Sequence, residues 1–244
     1  MLGEIGRYTL FMLQVLKLPE RWGIFWKQLM DEVDKLVLRS IPIVILISIF
    51  MGAVTSIQTA YNITNPFIPM SMVGFTTVTS SILEFSPTII SLILAGKVGS
   101  RITSEIGSMR INEQIDALEV MGINSSNFLL LPKLTASVFF NPFVILISMF
   151  SATFGGYLVA HLTGIYAPSE YITGIRTEFR AFNIIYAMIK TVTFAFIIAS
   201  VSGYMGYFVK GGATGLGKAS TKAVVWSSII IILFNLILTQ LLLS

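Results

Sequence analysis

The sequence predicts an all-α integral membrane protein, an N-terminal interfacial amphipathic helix followed by five transmembrane helices, and three observations carry that prediction. Hydrophobic residues form 55% of the chain and charged residues only 11%, where soluble domains carry about 25% charge. The charge is segregated, so long apolar stretches alternate with short segments that hold nearly all the Lys, Arg, Asp and Glu. Five apolar windows each reach the roughly 20 residues that bilayer hydrocarbon requires. A soluble chain of 244 residues buries one apolar core, not five such windows. The absence of cysteine excludes disulfides, zinc–thiolate sites and thiol catalysis.

Residues 1–39 are apolar but too interrupted by charge to span, and read as an interfacial amphipathic helical segment. Glu4, Arg7 and Lys17 break any signal-peptide pattern, and no small-residue cleavage site follows. Trp22, Phe25, Trp26, Leu29, Val33, Leu36 and Val37 recur at helical spacing on one face, with Lys27, Gln28, Asp31, Glu32, Asp34 and Lys35 on the other. Aromatic anchors beside a charged face suit a helix lying in the membrane interface; a soluble helix packed on a partner is the alternative.

Five spans are expected at about 41–61, 71–96, 134–162, 182–209 and 223–243, making 40–244 the membrane domain. Pro87 and Pro142 predict kinks in the second and third. Thr76, Thr77, Thr79, Ser80, Ser81, Gly155 and Gly156 supply small residues that let helices approach closely in lipid. All Lys and Arg except Arg176, Arg180 and Lys190 fall on one side of these spans. The basic side is the cytoplasmic one, which places the N-terminus inside and, after five crossings, the C-terminus outside.

The longest basic-side connection, Gly96 to Lys133, holds a short amphipathic helix at about 113–121. Asn112 is its expected N-cap, Glu113 its acidic first turn and Gly122 its C′ residue. Ile115, Leu118 and Met121 form an apolar stripe, and Glu113, Asp116 and Glu119 an acidic one on the opposite side. The element either offers a face to a partner or is a solvated connecting helix.

The run Ala95-Gly96-Lys97-Val98-Gly99-Ser100-Arg101, then Glu105-Ile106-Gly107-Ser108-Met109-Arg110, then Asn112 to Gly122, resembles the MlaE family. Gly52, Gln58, Leu83-Glu84-Phe85-Ser86-Pro87, Ser220-Thr221-Lys222 and Ser227-Ser228 extend the likeness. These are permease subunits of MCE-type ABC transporters, which move lipids in diderm bacteria and plastids. The resemblance implies that the 113–121 helix is a cytoplasmic coupling helix seated in a cleft of a separate ABC ATPase. Glu105, Arg110, Glu113, Gln114, Asp116 and Glu119 are then the docking residues. It further implies a second copy of the chain, an MCE-domain periplasmic protein, a lipid substrate and the bacterial inner membrane.

Glu84 and Lys190 lie at membrane depth, where an ionisable group costs about 2.5–3.5 kcal/mol on insertion scales. From the residues alone, each faces protein or water, and the two either pair or serve separately. In the resembled family the matching positions lie near a lipid cavity at the dimer axis. Ile57, Tyr61, Leu83 and Phe85 would supply its apolar walls beside Glu84 and Lys190. Leu83 stands where family members can carry a basic residue, which removes one phosphate-binding group.

His161, the single histidine, reads as an interfacial residue. Gly211, Gly212, Gly215 and Gly217 form a turn without the Gly-x-x-x-x-Gly-Lys-Ser/Thr pattern. No cofactor is therefore expected in this chain, and ATP and Mg belong to the partner ATPase. One histidine and no carboxylate cluster argue against an enzyme, and no feature calls for nucleic acid. The competing class is a secondary transporter or channel using Glu84 and Lys190, although no internal repeat is visible.

Overall fold

The computed structural model describes residues 2–19, 21–63, 67–177 and 180–243, and every regular element among them is helical. They are α1 (Leu2–Val15), α2 (Trp22–Glu32), α3 (Ile41–Asn62), α4 (Ser71–Ser80), α5 (Ile90–Leu94), α6 (Ser100–Ile111), α7 (Gln114–Val120), α8 (Ser125–Thr163), α9 (Pro168–Thr177), α10 (Ala181–Tyr207) and α11 (Gly212–Leu243). Among the described residues, five continuous helical runs are long and apolar enough to cross a membrane: Trp22–Asn62, Ser71–Ile111, Ser125–Thr163, Ala181–Tyr207 and Gly212–Leu243. The first two have 41 residues and are thus about 60 Å long, twice the hydrocarbon thickness. Helix continues past the apolar windows through turns of altered pitch, some wider and some tighter than the α-helical one. α2 joins α3 through a π-helical turn at Val33–Val37 and a 3-10 turn at Leu38–Ser40. Pro87 sits inside a π-helical stretch, Ser81–Ile89.

The chain divides into two compact units. The first comprises the described residues of Met1–Arg39, Ser91–Asn141 and Val192–Ser244. In it α1 lays Tyr8 and Phe11 against Tyr204, Tyr207 and Phe208 at the end of α10, with Phe11 and Tyr207 ring centroids 4.9 Å apart. The Tyr8 hydroxyl donates to Ser200 Oγ at 2.8 Å. Asn127 ties the chain after α1 to the start of α8 by donating to the carbonyls of Val15 and Lys17. Phe25, Leu29, Val33, Leu36 and Val37 are buried as the periodicity predicts, while Trp22 and Trp26 stay about half exposed. Glu32, expected on a solvated face, is instead buried, because Lys133 Nζ donates to it at 2.6 Å and also reaches Glu105 at 2.9 Å. α11 packs on α6, where Leu216 lies over Gly107, and on the π-helical turn Ala95–Gly99; Ala223, Ser227 and Ile231 are buried, whereas Leu233, Leu236, Ile237 and Leu241 point outward. Outward apolar side chains are what a lipid-facing helix requires.

The second unit comprises Ser40–Ile90 and Pro142–Thr191, less the undescribed residues. α3 buries one small-residue stripe: Val44, Ser48, Gly52, Ser56 and Ala60. Ser48 Oγ donates to Ser148 Oγ at 2.8 Å, and Ser148 Oγ to Ser86 Oγ at 3.0 Å. α9, a helix absent from the sequence-based expectation, packs on α4 where both are glycine: a Cβ on Gly174 would lie 1.8 Å from the Ser71 carbonyl oxygen. Burial pushes the Tyr171 phenol well above its ordinary range, so it remains a neutral donor, given to the Thr153 carbonyl at 3.1 Å.

Candidate functional site

Two separate places hold the residues singled out by the sequence, one in each unit. In the first unit α6 ends at Asn112, whose backbone closes the last turn onto Ser108. Asn112 is thus the C-cap of α6 and not the N-cap of the next helix. The reversal falls one residue later, at Glu113, which has φ 58° and precedes α7. Two helices separated by so short a link need a left-handed residue between them, and Glu113 takes that strained role. At the far end Gly122, with φ +77°, closes α7 as expected. Its amide donates to the Glu119 carbonyl at 2.9 Å and the Ile123 amide to the Leu118 carbonyl at 3.0 Å, which is a Schellman ending.

Ile115 anchors α7 and is fully buried, while Val120 and Met121 are 89% and 66% exposed. Glu113, Gln114 and Ala117 are exposed as well. All three residues of the acidic stripe are exposed, and two of them are also tethered to neighbours. Asp116 accepts from Arg110 Nη1 at 2.7 Å, and Glu119 Oε1 accepts from the Tyr207 hydroxyl at 2.8 Å and from Ser125 Oγ at 3.0 Å. The Arg110 guanidinium also lies 6.0 Å from the Tyr207 ring centre. Glu105 is turned to Lys133. Of the expected docking residues, Glu113, Gln114, Asp116 and Glu119 are all exposed on α7, the last two also tethered to neighbours, while Glu105 and Arg110 are half-buried. A cavity of about 400 Å³ opens beside the end of α7, with Arg21, Phe25, Gln28, Met121, Asn124 and Phe128 in its wall.

In the second unit Glu84 and Lys190 form one site. Lys190 is fully buried and donates to Glu84 Oε1 at 2.7 Å and to the Leu83 carbonyl at 3.2 Å. In an α-helix that carbonyl would accept from residue 87, and Pro87 has no N–H to give. The Tyr186 hydroxyl donates to Glu84 Oε1 at 3.4 Å, and Thr88 Oγ1 to Oε2 at 3.1 Å. Lys190 Nζ also lies 4.4 Å from the Tyr186 ring centre, a cation–π contact that gains strength away from water. The Glu84 side chain nevertheless remains 40% exposed. Leu83 and Phe85 flank it half-buried, and α3, which packs against this stretch, leaves Ile57 41% and Tyr61 83% exposed.

Tyr207, Ser125, Lys133, Tyr186 and Thr88 were not indicated by the sequence. Thr88 and Tyr186 stand four residues from Glu84 and Lys190 and on the same helical faces, so that spacing is the signal that could have found them. Nothing local marks the other three.

A family model described as Permease MlaE matches residues 29–241. The chain is 33% identical to a probable ABC transporter permease protein of Rickettsia bellii, over 98% of this chain and 92% of that one. It is 29% identical to TRIGALACTOSYLDIACYLGLYCEROL 1, chloroplastic, of Arabidopsis thaliana, over 89% and 62%. It is 27% identical to the intermembrane phospholipid transport system permease protein MlaE of Haemophilus influenzae, over 86% and 81%.

Proposed function

This chain belongs to the MlaE permease family, and on that premise we propose that it is the membrane subunit of an ABC transporter that moves phospholipid, driven by ATP hydrolysis on separate subunits. The observation that carries the proposal is α7: a short, well-capped helix set off by a strained reversal, anchored by Ile115, with Glu113, Gln114, Ala117, Val120 and Met121 exposed together. Strain of this kind persists where surrounding structure and function demand it. Val120, at 89% exposed, is an unusual apolar residue to leave in water unless a partner covers it. The ATPase supplies ATP and Mg, this chain supplies the seat, and the basic side of the spans faces the cytoplasm of an inner membrane. ATPases of this class work as facing pairs, so two copies of the chain are needed to seat them, with an MCE-domain protein on the periplasmic side. Ile57, Tyr61, Leu83 and Phe85 line the lipid route, and the exposed edge of Glu84, fixed by Lys190, meets its headgroup or admitted water. The name of the Haemophilus influenzae relative, an intermembrane phospholipid transport permease, supports the choice of substrate.

Native mass spectrometry of the gently solubilised complex is expected to show two copies of this chain with two ATPase subunits. Glu113→Lys with Gln114→Lys is expected to reduce ATPase recovery at least tenfold, because interfacial charge pairs that lose a partner cost about 2–5 kcal/mol when buried. Lys, like Glu, has an unbranched Cβ and meets much the same backbone strain at 113, so this change isolates charge. A stable complex with one copy, or full ATPase recovery by the double variant, contradicts the assignment.

A further inference from the structure

The end of α10 is held more tightly than its sequence suggests. A Cβ on Gly206 would lie 2.8 Å from the Thr103 carbonyl oxygen, and Thr103 Oγ1 donates to the Ser202 carbonyl at 3.0 Å. α10 and α6 therefore touch almost backbone to backbone and form one packed piece. α7 follows α6 through the strained residue Glu113, with buried Ile115 and the Arg110–Asp116 pair fixing its first turns, and its last turn needs a further constraint.

Tyr207 supplies that constraint. Its hydroxyl donates to Glu119 Oε1 at 2.8 Å and lies 2.7 Å from Ser125 Oγ, which itself lies 3.0 Å from the same carboxylate oxygen. One residue at the end of α10 thus meets the last turn of α7 and the first residue of α8. Its ring is packed by Phe11 of α1 at 4.9 Å and Phe208 at 5.1 Å, with the Arg110 guanidinium at 6.0 Å. Arg110 in turn holds Asp116, one turn before Glu119. Four helices converge on this phenol, and one of them, α1, lies outside the 29–241 stretch that matches the family model.

We propose that Tyr207 is a positioning residue that transmits a tilt of α7 to α10, the helix that also carries Lys190. This rests on the permease reading above. A tilt of α7 that keeps the Tyr207–Glu119 contact carries the joined ends of α10 and α6 along, and one that lengthens it leaves them behind. The hydroxyl, not the ring, is the transmitting group. Removing it leaves Glu119 with Ser125 and leaves the aromatic packing of α1 in place.

The test uses the complete complex with its ATPase, reconstituted in vesicles, and reads phospholipid moved per ATP hydrolysed. Tyr207→Phe is expected to keep melting temperature, ATPase recovery and ATP hydrolysis, while transport per ATP falls roughly 2- to 30-fold, the span of coupling changes seen for residues that touch neither ligand. Glu119→Gln, which keeps an acceptor oxygen, is expected to stay nearer wild type in this ratio than Glu119→Ala. An unchanged ratio in Tyr207→Phe overturns the inference, as does a fall matched by equal losses of stability and complex yield. If the wild-type chain recovers no ATPase, the permease reading fails first and takes this inference with it.

Discussion

Glu84→Gln is expected to lower the stability of the protein by about 2–3 kcal/mol, and to do so more than Lys190→Met. Removing one member of a buried ion pair costs roughly 3–5 kcal/mol because the other charge stays buried. The present pair is lopsided: Lys190 is 0% exposed and the Glu84 side chain 40%. With Gln at 84 the enclosed ammonium keeps the Leu83 carbonyl and the Tyr186 ring but no anion. With Met at 190 the carboxylate keeps Thr88 and Tyr186 and reaches its surroundings through its exposed edge. The double variant Glu84→Gln/Lys190→Met is expected to recover most of the loss, since an apolar replacement of both charges is often neutral. Thermal unfolding in detergent measures all three. Phospholipid transport by the double variant then separates two roles. Stability restored with transport still low supports a carboxylate at the lipid route, whereas transport restored along with stability makes the pair structural only.

Gly52→Val is expected to have the larger effect, a loss of about 3 kcal/mol or more. A Cβ on Gly52 would lie 1.9 Å from the Ala152 carbonyl oxygen, and one on Gly155 would lie 2.1 Å from the Ile49 carbonyl oxygen. α3 and α8 thus meet backbone against backbone at two places, and the atoms in the way are carbonyls that no rotamer change can move. Overpacking typically costs 1–3 kcal/mol where side chains yield; here the helices must separate, and the Ser48–Ser148–Ser86 hydroxyl chain breaks with them. Gly217→Ala is the matched control. Gly217 is exposed within α11 with nothing within 4 Å of its Cβ position, so alanine there is expected to stabilise by about 0.5–1 kcal/mol. Equal melting temperatures for Gly52→Val and wild type contradict the packing account.

These two sites show what was legible in the sequence. Apolar windows and segregated charge expose five long helices because bilayer thickness sets their length. Glu84 and Lys190 were visible as candidates because charge at membrane depth is rare. Their 2.7 Å contact was not, since it joins residues 106 positions apart and depends on a π-helical stretch that periodicity does not announce. Gly122 was legible as the end of α7 because a left-handed C′ position selects glycine. The start was misplaced by one element, because Asn112 is as good a residue for ending α6 as for starting α7. All three members of the acidic stripe are exposed, yet two of them are already tethered within the chain, Asp116 to Arg110 and Glu119 to Tyr207 with Ser125. A helical wheel gives directions around an axis and not what lies there.

The central claim is that ATP hydrolysed by a separate subunit drives phospholipid movement through this chain. The most direct test is purified chain with its ATPase in proteoliposomes, scored for transfer of labelled phospholipid to an acceptor protein. Transfer that requires ATP, Mg and both subunits, and is indifferent to an imposed proton or sodium gradient, is the predicted result. Transfer by the chain alone that follows an ion gradient and ignores ATP would contradict it, and would make Glu84 and Lys190 the ion site of a secondary transporter.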